Sequence, residues 1–292
     1  MAQSTSIIMV IARIRSGLGN QLFIYAAARA LAHRLGEDLK LDVSFFKTYP
    51  LRQFALGHFA IDAKICRPQE LWLRKLFAKL HLRRPDRLFR EASPAYQPAF
   101  AELKNNTILQ GYFQSEKYFS SVPDILRKEF ALKTPLSGPT SHYLARMSAG
   151  NPVSVHVRRG DYVSYQSINE RFGALDLDYY SSAKRWMDHE LSGPTYHIFS
   201  DDGPYAEKYI LPIFGPCAQI VPPVTGDFEH LALMRSCHHH IIANSSFSWW
   251  GAWLADFPGK QVIAPATWFR NKSEIPVDII PDNWITIENG FA

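Results

Sequence analysis

Ile7–Ile14 is a continuous apolar run rich in β-branched residues, and it leads directly into Ser16-Gly-Leu-Gly-Asn-Gln21. A run of this kind suits a parallel strand covered on both faces, and glycines at its end allow a tight turn. Leu22–Leu35 (LFIYAAARALAHRL) then has helical composition and apolar spacing, and Gly36 is a good terminator for it. Leu39–Val43 reads as the next short strand. Strand, glycine turn, helix, strand is the grammar of a parallel α/β sheet.

The second half repeats that grammar. Strands are expected at Val153–Val157, Tyr196–Ser200, Ala218–Val221, His239–Asn244 and Gln261–Ala264. Helices are expected at Asp178–Glu190, Ala206–Ile213, Glu229–Ser236 and Ser248–Ala255. Between the halves, Glu70–Leu82 and Pro123–Phe130 look helical, Pro85, Pro94 and Pro98 punctuate the chain, and Leu136–Pro139 and Ser148–Pro152 bracket one more helix. The expectation is an α/β protein of two Rossmann-like domains facing a central cleft, residues 1–140 and 141–292.

Length agrees, since 292 residues suit two ordinary domains. Hydrophobic residues at 47% and charged residues at 20% exclude a disordered or low-complexity chain. The three cysteines, Cys66, Cys217 and Cys237, are widely spaced and odd in number, which argues against a disulfide framework or a cysteine zinc site. Reducing cytosol is the expected compartment. No apolar run reaches the roughly 18 residues of a membrane span, and Ile7–Ala12 lacks the basic flank of a signal peptide.

The net charge of +5 is concentrated in one place. Arg74–Arg90 holds seven Lys/Arg and one acidic residue, and the rest of the chain is near neutral. Such a window is most simply a solvated helix; the alternative is a contact with an anionic or lipid-linked partner at a membrane surface.

Ligands of open α/β sheets bind at the carboxyl ends of strands, and four segments here follow expected strands. The first is Gly17-Leu-Gly-Asn-Gln21, where backbone and helix N-terminus can approach an anion. It is not the dinucleotide fingerprint, because Leu22 stands where a third glycine is required, and no GK[ST] follows for a phosphate loop. The second is Val153–Tyr162 (VSVHVRRGDY). On a strand Ser154, His156 and Arg158 share one face, opposite Val153, Val155 and Val157. Arg158 and Arg159 can fork onto phosphate oxygens, and Asp161 can orient one of them. The third, Ser200-Asp201-Asp202, can accept bonds from ribose hydroxyls or a base, bind Mg²⁺, or simply cap the next helix. The fourth is Asn244-Ser245-Ser246 ahead of a helix, a phosphate cradle with Phe247 able to cover a flat base. Trp249, Trp250 and Trp253 fit core packing better than a sugar platform. His238-His239-His240 resembles a metal tract, but strand neighbours point to opposite faces, so the three cannot share one ion.

Together these segments resemble the bacterial α-1,2-fucosyltransferases of glycosyltransferase family 11. The family's HxRRGDY motif stands at His156–Tyr162, its opening G-G-L-G-N-Q-[ML]-F-x-Y-A at Ser16–Ala26 with Ser16 in place of the first glycine, its SDD motif at Ser200–Asp202, and NSSFSWWGAWL at Asn244–Leu254. Order and spacing fit from about residue 7 to the C-terminus. The resemblance implies a GT-B-like fold and GDP-β-L-fucose as donor. It implies inversion to an α-fucoside at O2 of a terminal β-galactose of an oligosaccharide, with no metal or other cofactor.

By that resemblance Arg158 meets the β-phosphate, with Arg159 sharing the role, and His156 lies near the donor. Backbone around Gly17, Gly19, Asn20 and Gln21 and around Asn244, Ser245, Ser246 and Phe247 completes the cradle, with Ser200, Asp201 or Asp202 near the ribose or base. Family members often read guanine with an aspartate at the position of His230, so Glu229 or Asp227 is expected to take that contact. Asp161, His156 and, more weakly, Glu170 are candidate bases, and an oxocarbenium-like path with a weak base is the alternative. Rival readings are a fucosyltransferase of α-1,6 or O-linked specificity, a nicotinamide oxidoreductase, and a nucleic-acid binder using Arg83, Arg84 and Arg87; all three are disfavoured, and nucleic acid is not an expected partner.

Overall fold

A computed structural model describes residues 9–49, 51–80, 86–271 and 278–292. The chain divides into two compact units, Met1–Lys133 with Val277–Ile279, and Thr134–Pro276 with Ile280–Ala292.

The first unit is built on five parallel strands: β1 (Met9–Arg13), β2 (Asp38–Asp42), β3 (Lys64–Ile65), β4 (Arg87–Arg90) and β5 (Thr107–Gln110), in the order β3-β2-β1-β5-β4. Val10 and Ala12 are fully buried in the central strand, as the apolar run requires. Residues 7 and 8 of that run lie outside the described residues. The helix after it spans Leu18–Leu35, so it begins inside the glycine segment rather than after it. It closes on Gly36 at φ +64°, whose N–H reaches the carbonyls of Ala32 and His33.

One expectation fails in this unit. The basic window is not one solvated helix: helix Pro68–Lys79 ends inside it, and Arg87–Arg90 is edge strand β4. Its Arg-Leu-Phe-Arg carries too few apolar residues to announce a strand. Arg74 is buried, and its Nη2 lies 2.5 Å from Asp86 Oδ1. Pro85, Leu82 and the basic residues Arg83 and Arg84 lie outside the described residues.

The second unit has six parallel strands: β6 (Asn151–Val157), β7 (Pro194–Ser200), β8 (Ala218–Ile220), β9 (His239–Ile241), β10 (Val262–Pro265) and β11 (Ile285–Ile287), in the order β11-β10-β9-β6-β7-β8. The chain moves outward from β6 through β7 to β8, then returns to the other side of β6 with β9. The gap between β6 and β9 is therefore the switch point where open sheets bind ligands. Val153, Val155 and Val157 pack with Tyr179, Tyr180, Ala183 and Met187 on one face. On the other face Ser154 Oγ lies 2.7 Å from His240 Nδ1, and the His156 ring lies 5.9 Å from Phe247. The alternation expected of β6 is thus realised.

The second unit starts seven residues earlier than the expected boundary at 140. Helix Gly138–Met147 turns Tyr143 and Met147 into a cluster with Phe199, Leu233 and Met234, so its whole length belongs to this core. The helix expected at 206–213 is instead two short α turns, Gly203–Tyr205 and Leu211–Phe214, around a wide π turn at Ala206–Ile210. Pro212, lacking an N–H, cannot continue a regular ladder there. The three consecutive histidines have separate partners: His238 stacks on Phe257 at 3.9 Å, His239 Nδ1 accepts from the Gln261 N–H, and His240 meets Ser154.

Candidate active site

The carboxyl ends of β6 and β7 form the charged centre of the second unit. Val157 and Ser200 are register partners, so the residues just beyond them must meet. Arg158 lies between two carboxylates, with Nη2 2.5 Å from Asp161 Oδ1 and Nη1 2.6 Å from Asp201 Oδ2. Burial opposes the charge on Arg158, but Asp201 and Asp161 outweigh it and hold the guanidinium above its ordinary pKa. Asp201 also accepts the N–H groups of Arg159 at 2.9 Å and Gly160 at 3.1 Å. Only glycine fits at 160, because a Cβ there would stand 2.6 Å from Asp201 Oδ2.

Arg159 is fixed from two sides. Its Nε lies 3.3 Å from Asp202 Oδ2, and its guanidinium carbon lies 3.5 Å from the centre of the Tyr205 ring. Asp202 also caps the following turn, accepting the Tyr205 N–H at 3.1 Å, so the cap expected as the simple alternative for this motif is real. Ser200 Oγ is spent within the same turn, on the backbone of Asp202. These two guanidinium groups and three carboxylates leave one negative charge in excess.

His156 is buried, and burial, then Arg158 and His230, push its pKa down to about 3. Its Nδ1 has no hydrogen-bond partner among the described residues. A neutral imidazole of such low basicity is a hydrogen-bonding group rather than a general base near neutral pH. Glu170 is on the next short helix, Gln166–Arg171, accepting from Gln166 at 2.8 Å.

The segment after β9 is tied to this centre through Tyr162, whose hydroxyl donates to the Asn244 carbonyl at 2.9 Å and whose ring lies 5.4 Å from Arg158. Asn244 is fully buried, with Nδ2 within 3.0–3.1 Å of the carbonyls of Phe172, Gly173 and Trp268. Its amide therefore ties two other loops to its own. Ser245 caps helix Ser246–Leu254, accepting from the Phe247 N–H. Ser246 and Phe247, both part-exposed, form the first turn of that helix. Trp249, Trp250 and Trp253 are buried core residues.

The expected reader of guanine needs correction. Glu229 accepts from the Ser137 N–H at 2.6 Å, Thr140 Oγ1 at 2.9 Å, the Thr225 N–H at 3.1 Å and Ser137 Oγ at 3.2 Å. Burial works against the charge, but these bonds hold the carboxyl below its ordinary pKa. Glu229 is thus a structural clamp with both oxygens occupied. Asp227, in the first turn of helix Asp227–Arg235, is exposed. His230 packs edge-on against Phe199, its pKa lowered by burial.

In the first unit the glycine segment forms a different object. Gly17 is the N-cap of helix Leu18–Leu35 and supplies no side-chain cap, while Gly19 is buried in the first turn. Gln21 is fully buried: its Nε2 donates to the carbonyls of Ser16 at 2.9 Å and Gln53 at 2.8 Å, and its Oε1 accepts the Ala55 N–H. Asn20 bonds Ser16 Oγ and Gln114 Nε2. The Gln21 and Asn20 side chains therefore build the turn; the contact expected of this segment is through its backbone.

Residues 89–288 match the family model described as glycosyl transferase family 11. An α-1,2-colitosyltransferase of Escherichia coli is 32% identical over 96% of this chain and 99% of its own length. The O-antigen biosynthesis glycosyltransferase WbnK of Escherichia coli is 30% identical over 94% of this chain and 99% of its own. The chain belongs to glycosyl transferase family 11. A galactoside α-(1,2)-fucosyltransferase 1 of Bos taurus is 27% identical over 81% of this chain and 64% of its own. Among solved structures, Arabidopsis thaliana FUT1 in complex with GDP has a TM-score of 0.53 at 11% identity, over 94% of this chain and 74% of that one, a likeness of fold. The two parallel α/β units are those of a GT-B-like glycosyltransferase.

The family match contains the whole charged centre and leaves the glycine turn outside it. Sequence reasoning missed Tyr205, the ring under Arg159. A usable signal existed, since Tyr205 stands three residues after an N-cap aspartate, where the cap brings it back over the strand end.

Proposed function

We propose that this glycosyltransferase moves L-fucose from GDP-β-L-fucose to O2 of a terminal β-galactose, inverting the anomeric centre, without a metal. The observation that carries the reading is the pair of braced arginines at the β6/β7 ends beside the switch point, within a chain of this family. As the bond from fucose C1 to the phosphate oxygen breaks, negative charge builds on GDP, and Arg158 and Arg159 neutralise it in place of a metal ion. The amides of the Ser245–Phe247 turn complete the cradle, and Asp227 is the remaining acidic candidate for guanine. The acceptor is assigned to the first unit. His156 hydrogen-bonds the donor. With His156 weakly basic and Asp161 committed to Arg158, the acceptor O2 attacks C1 as the bond to GDP breaks and gives up its proton late, to solvent water, after C1 has gained oxocarbenium character.

The test is one assay: the purified chain, GDP-fucose, lactose and EDTA, with product linkage determined by NMR. An α-1,2-fucosylated galactose supports donor, linkage and metal independence together. GDP binding without product shifts the acceptor, and neither product nor GDP binding overturns the reading. The colitosyltransferase likeness favours a second donor, so GDP-colitose belongs in the same assay. Colitose is fucose lacking one ring hydroxyl, and a site that hydrogen-bonds that hydroxyl prefers fucose by about 10⁴-fold.

A further inference from the structure

Helix Pro68–Lys79 of the first unit presents an apolar arc away from its own core. Its inner side is settled by contacts: Leu71 packs toward Met9, Ile11 and Cys66, Arg74 is buried, and Glu70 accepts from Lys40 on the sheet at 2.8 Å. The opposite arc, at helical spacing, is Trp72, Leu73, Leu76 and Phe77, continued by Leu80. Trp72, Leu73, Phe77 and Leu80 are 37–62% exposed. The sheet extends this surface. Ile11, Ile108 and Leu88 are register partners across β1, β5 and β4, so Leu88 shares the face that carries the helix, and it is 49% exposed. Arg90 lies two residues on, on the same face.

Five large apolar side chains left open on one face are more than scattered surface residues explain. Their rim is basic. Arg74 and Asp86 neutralise each other and take no part in it. Lys79, Arg87 and Arg90 are exposed, and Lys64 and Arg67 flank the start of the helix. No described helix is long and apolar enough to cross a membrane.

We propose that this face docks on an anionic phospholipid bilayer, with Trp72, Leu73, Phe77, Leu80 and Leu88 entering the headgroup region and the basic rim meeting lipid phosphates. A Trp, Phe and Leu arc bordered by four to eight Lys/Arg is the combination that binds the interface plane rather than spanning it. The proposal concerns the first unit alone and does not depend on the donor or the linkage made.

The test is co-sedimentation of the full chain with vesicles of phosphatidylethanolamine and phosphatidylglycerol, and with neutral phosphatidylcholine vesicles. Binding is expected on the anionic vesicles, weakening as salt rises, and much less on the neutral ones. Trp72→Ser with Phe77→Ser should weaken partitioning about tenfold or more, and Arg87→Gln with Arg90→Gln should weaken it on anionic vesicles only. All four sites are exposed, so circular dichroism should be unchanged, and so should transfer to a small water-soluble acceptor. Absence of binding to anionic vesicles at low salt overturns the proposal, as does binding that these substitutions leave intact. A dimer in sedimentation equilibrium that Trp72→Ser dissociates would mean that a second copy covers the face. Salt-sensitive binding to duplex DNA without vesicle binding would mean that the rim serves nucleic acid.

Discussion

The turns after β1 and β6 occupy the same place in two parallel sheets, each at the end of its sheet's first strand, with the strands that follow directly on one side and the later ones on the other. Their contents differ in kind. After β1, Ser16, Asn20, Gln21 and Gln114 satisfy one another and the Gln53–Ala55 backbone with neutral amides. After β6, Arg158 and Arg159 are braced by Asp161, Asp201 and Asp202 with side chains 16–34% exposed. A neutral network centred on a fully buried amide, that of Gln21, rearranges only by leaving polar groups unpaired. A part-exposed ionic one can exchange a carboxylate for a phosphate at little electrostatic loss. The first turn is therefore scaffold and the second is suited to chemistry, and substitutions separate the two.

The largest contrast should come from Arg158→Ala. Loss of one preorganised donor to the leaving group is expected to cost about 10²–10³-fold in kcat. Asp161 and Asp201 then lose the cation they share, at roughly 1–3 kcal/mol of stability. Adding Asp161→Asn should return much of the stability and none of the rate. Near-normal turnover in either variant, measured with saturating donor, would break the distinction by removing the phosphate role.

Much of this second turn was legible beforehand because its signals are covalent neighbours. Val153–Tyr162 carries the strand alternation and the Arg-Arg-Gly-Asp turn in ten residues, and β6 obeys both. The pairing of Arg158 with Asp201 was not legible, since it depends on β6 and β7 being adjacent and in register. Glu229 failed for the same reason: its four donors come from Ser137, Thr140 and Thr225, distant or unremarkable in sequence. Strands β3, β4 and β11 are two to four residues long, too short for a period to register.

Acid should separate the two units next. Burial pushes His156 down to about 3 and His197 and His239 down to about 4, and all three lie in the second unit. Unfolded, such residues take up protons below about pH 6.5. Between that pH and about 4 the unfolded second unit binds more protons than the folded one, so its stability falls as pH falls. The loss is on the order of 1.4 kcal/mol per pH unit per histidine while the folded form stays neutral. Hydrogen exchange at pH 7 and pH 4.5 should show β6, β7 and β9 losing protection first. Earlier loss in β1 and β2 would contradict the assignment.

Gln21→Ala tests the scaffold from the other side. It removes a buried amide that joins Ser16, Gln53 and Ala55, at about 2–3 kcal/mol. Denaturant melts should show that loss, while kcat of the folded fraction changes far less than in Arg158→Ala. A selective loss of kcat at unchanged stability would move Gln21 from scaffold to ligand.

The smallest effect is the most specific. Ser16 stands where the family pattern has glycine, and its φ is +66°, in the left-handed region that favours glycine. A non-glycine residue there carries roughly 1–2 kcal/mol of strain. Ser16→Gly releases that strain but loses the Oγ that accepts from Asn20 Nδ2 at 3.0 Å and adds freedom to the unfolded chain. The net gain should be small, about 0.5 kcal/mol, and visible as a slightly higher unfolding midpoint with kcat unchanged. Ser16→Ala isolates the two contributions: it keeps the strain, loses the bond, and should be less stable than either parent or glycine variant. An alanine variant as stable as the glycine one would mean that the turn relaxes and that φ at Ser16 is not held by its surroundings.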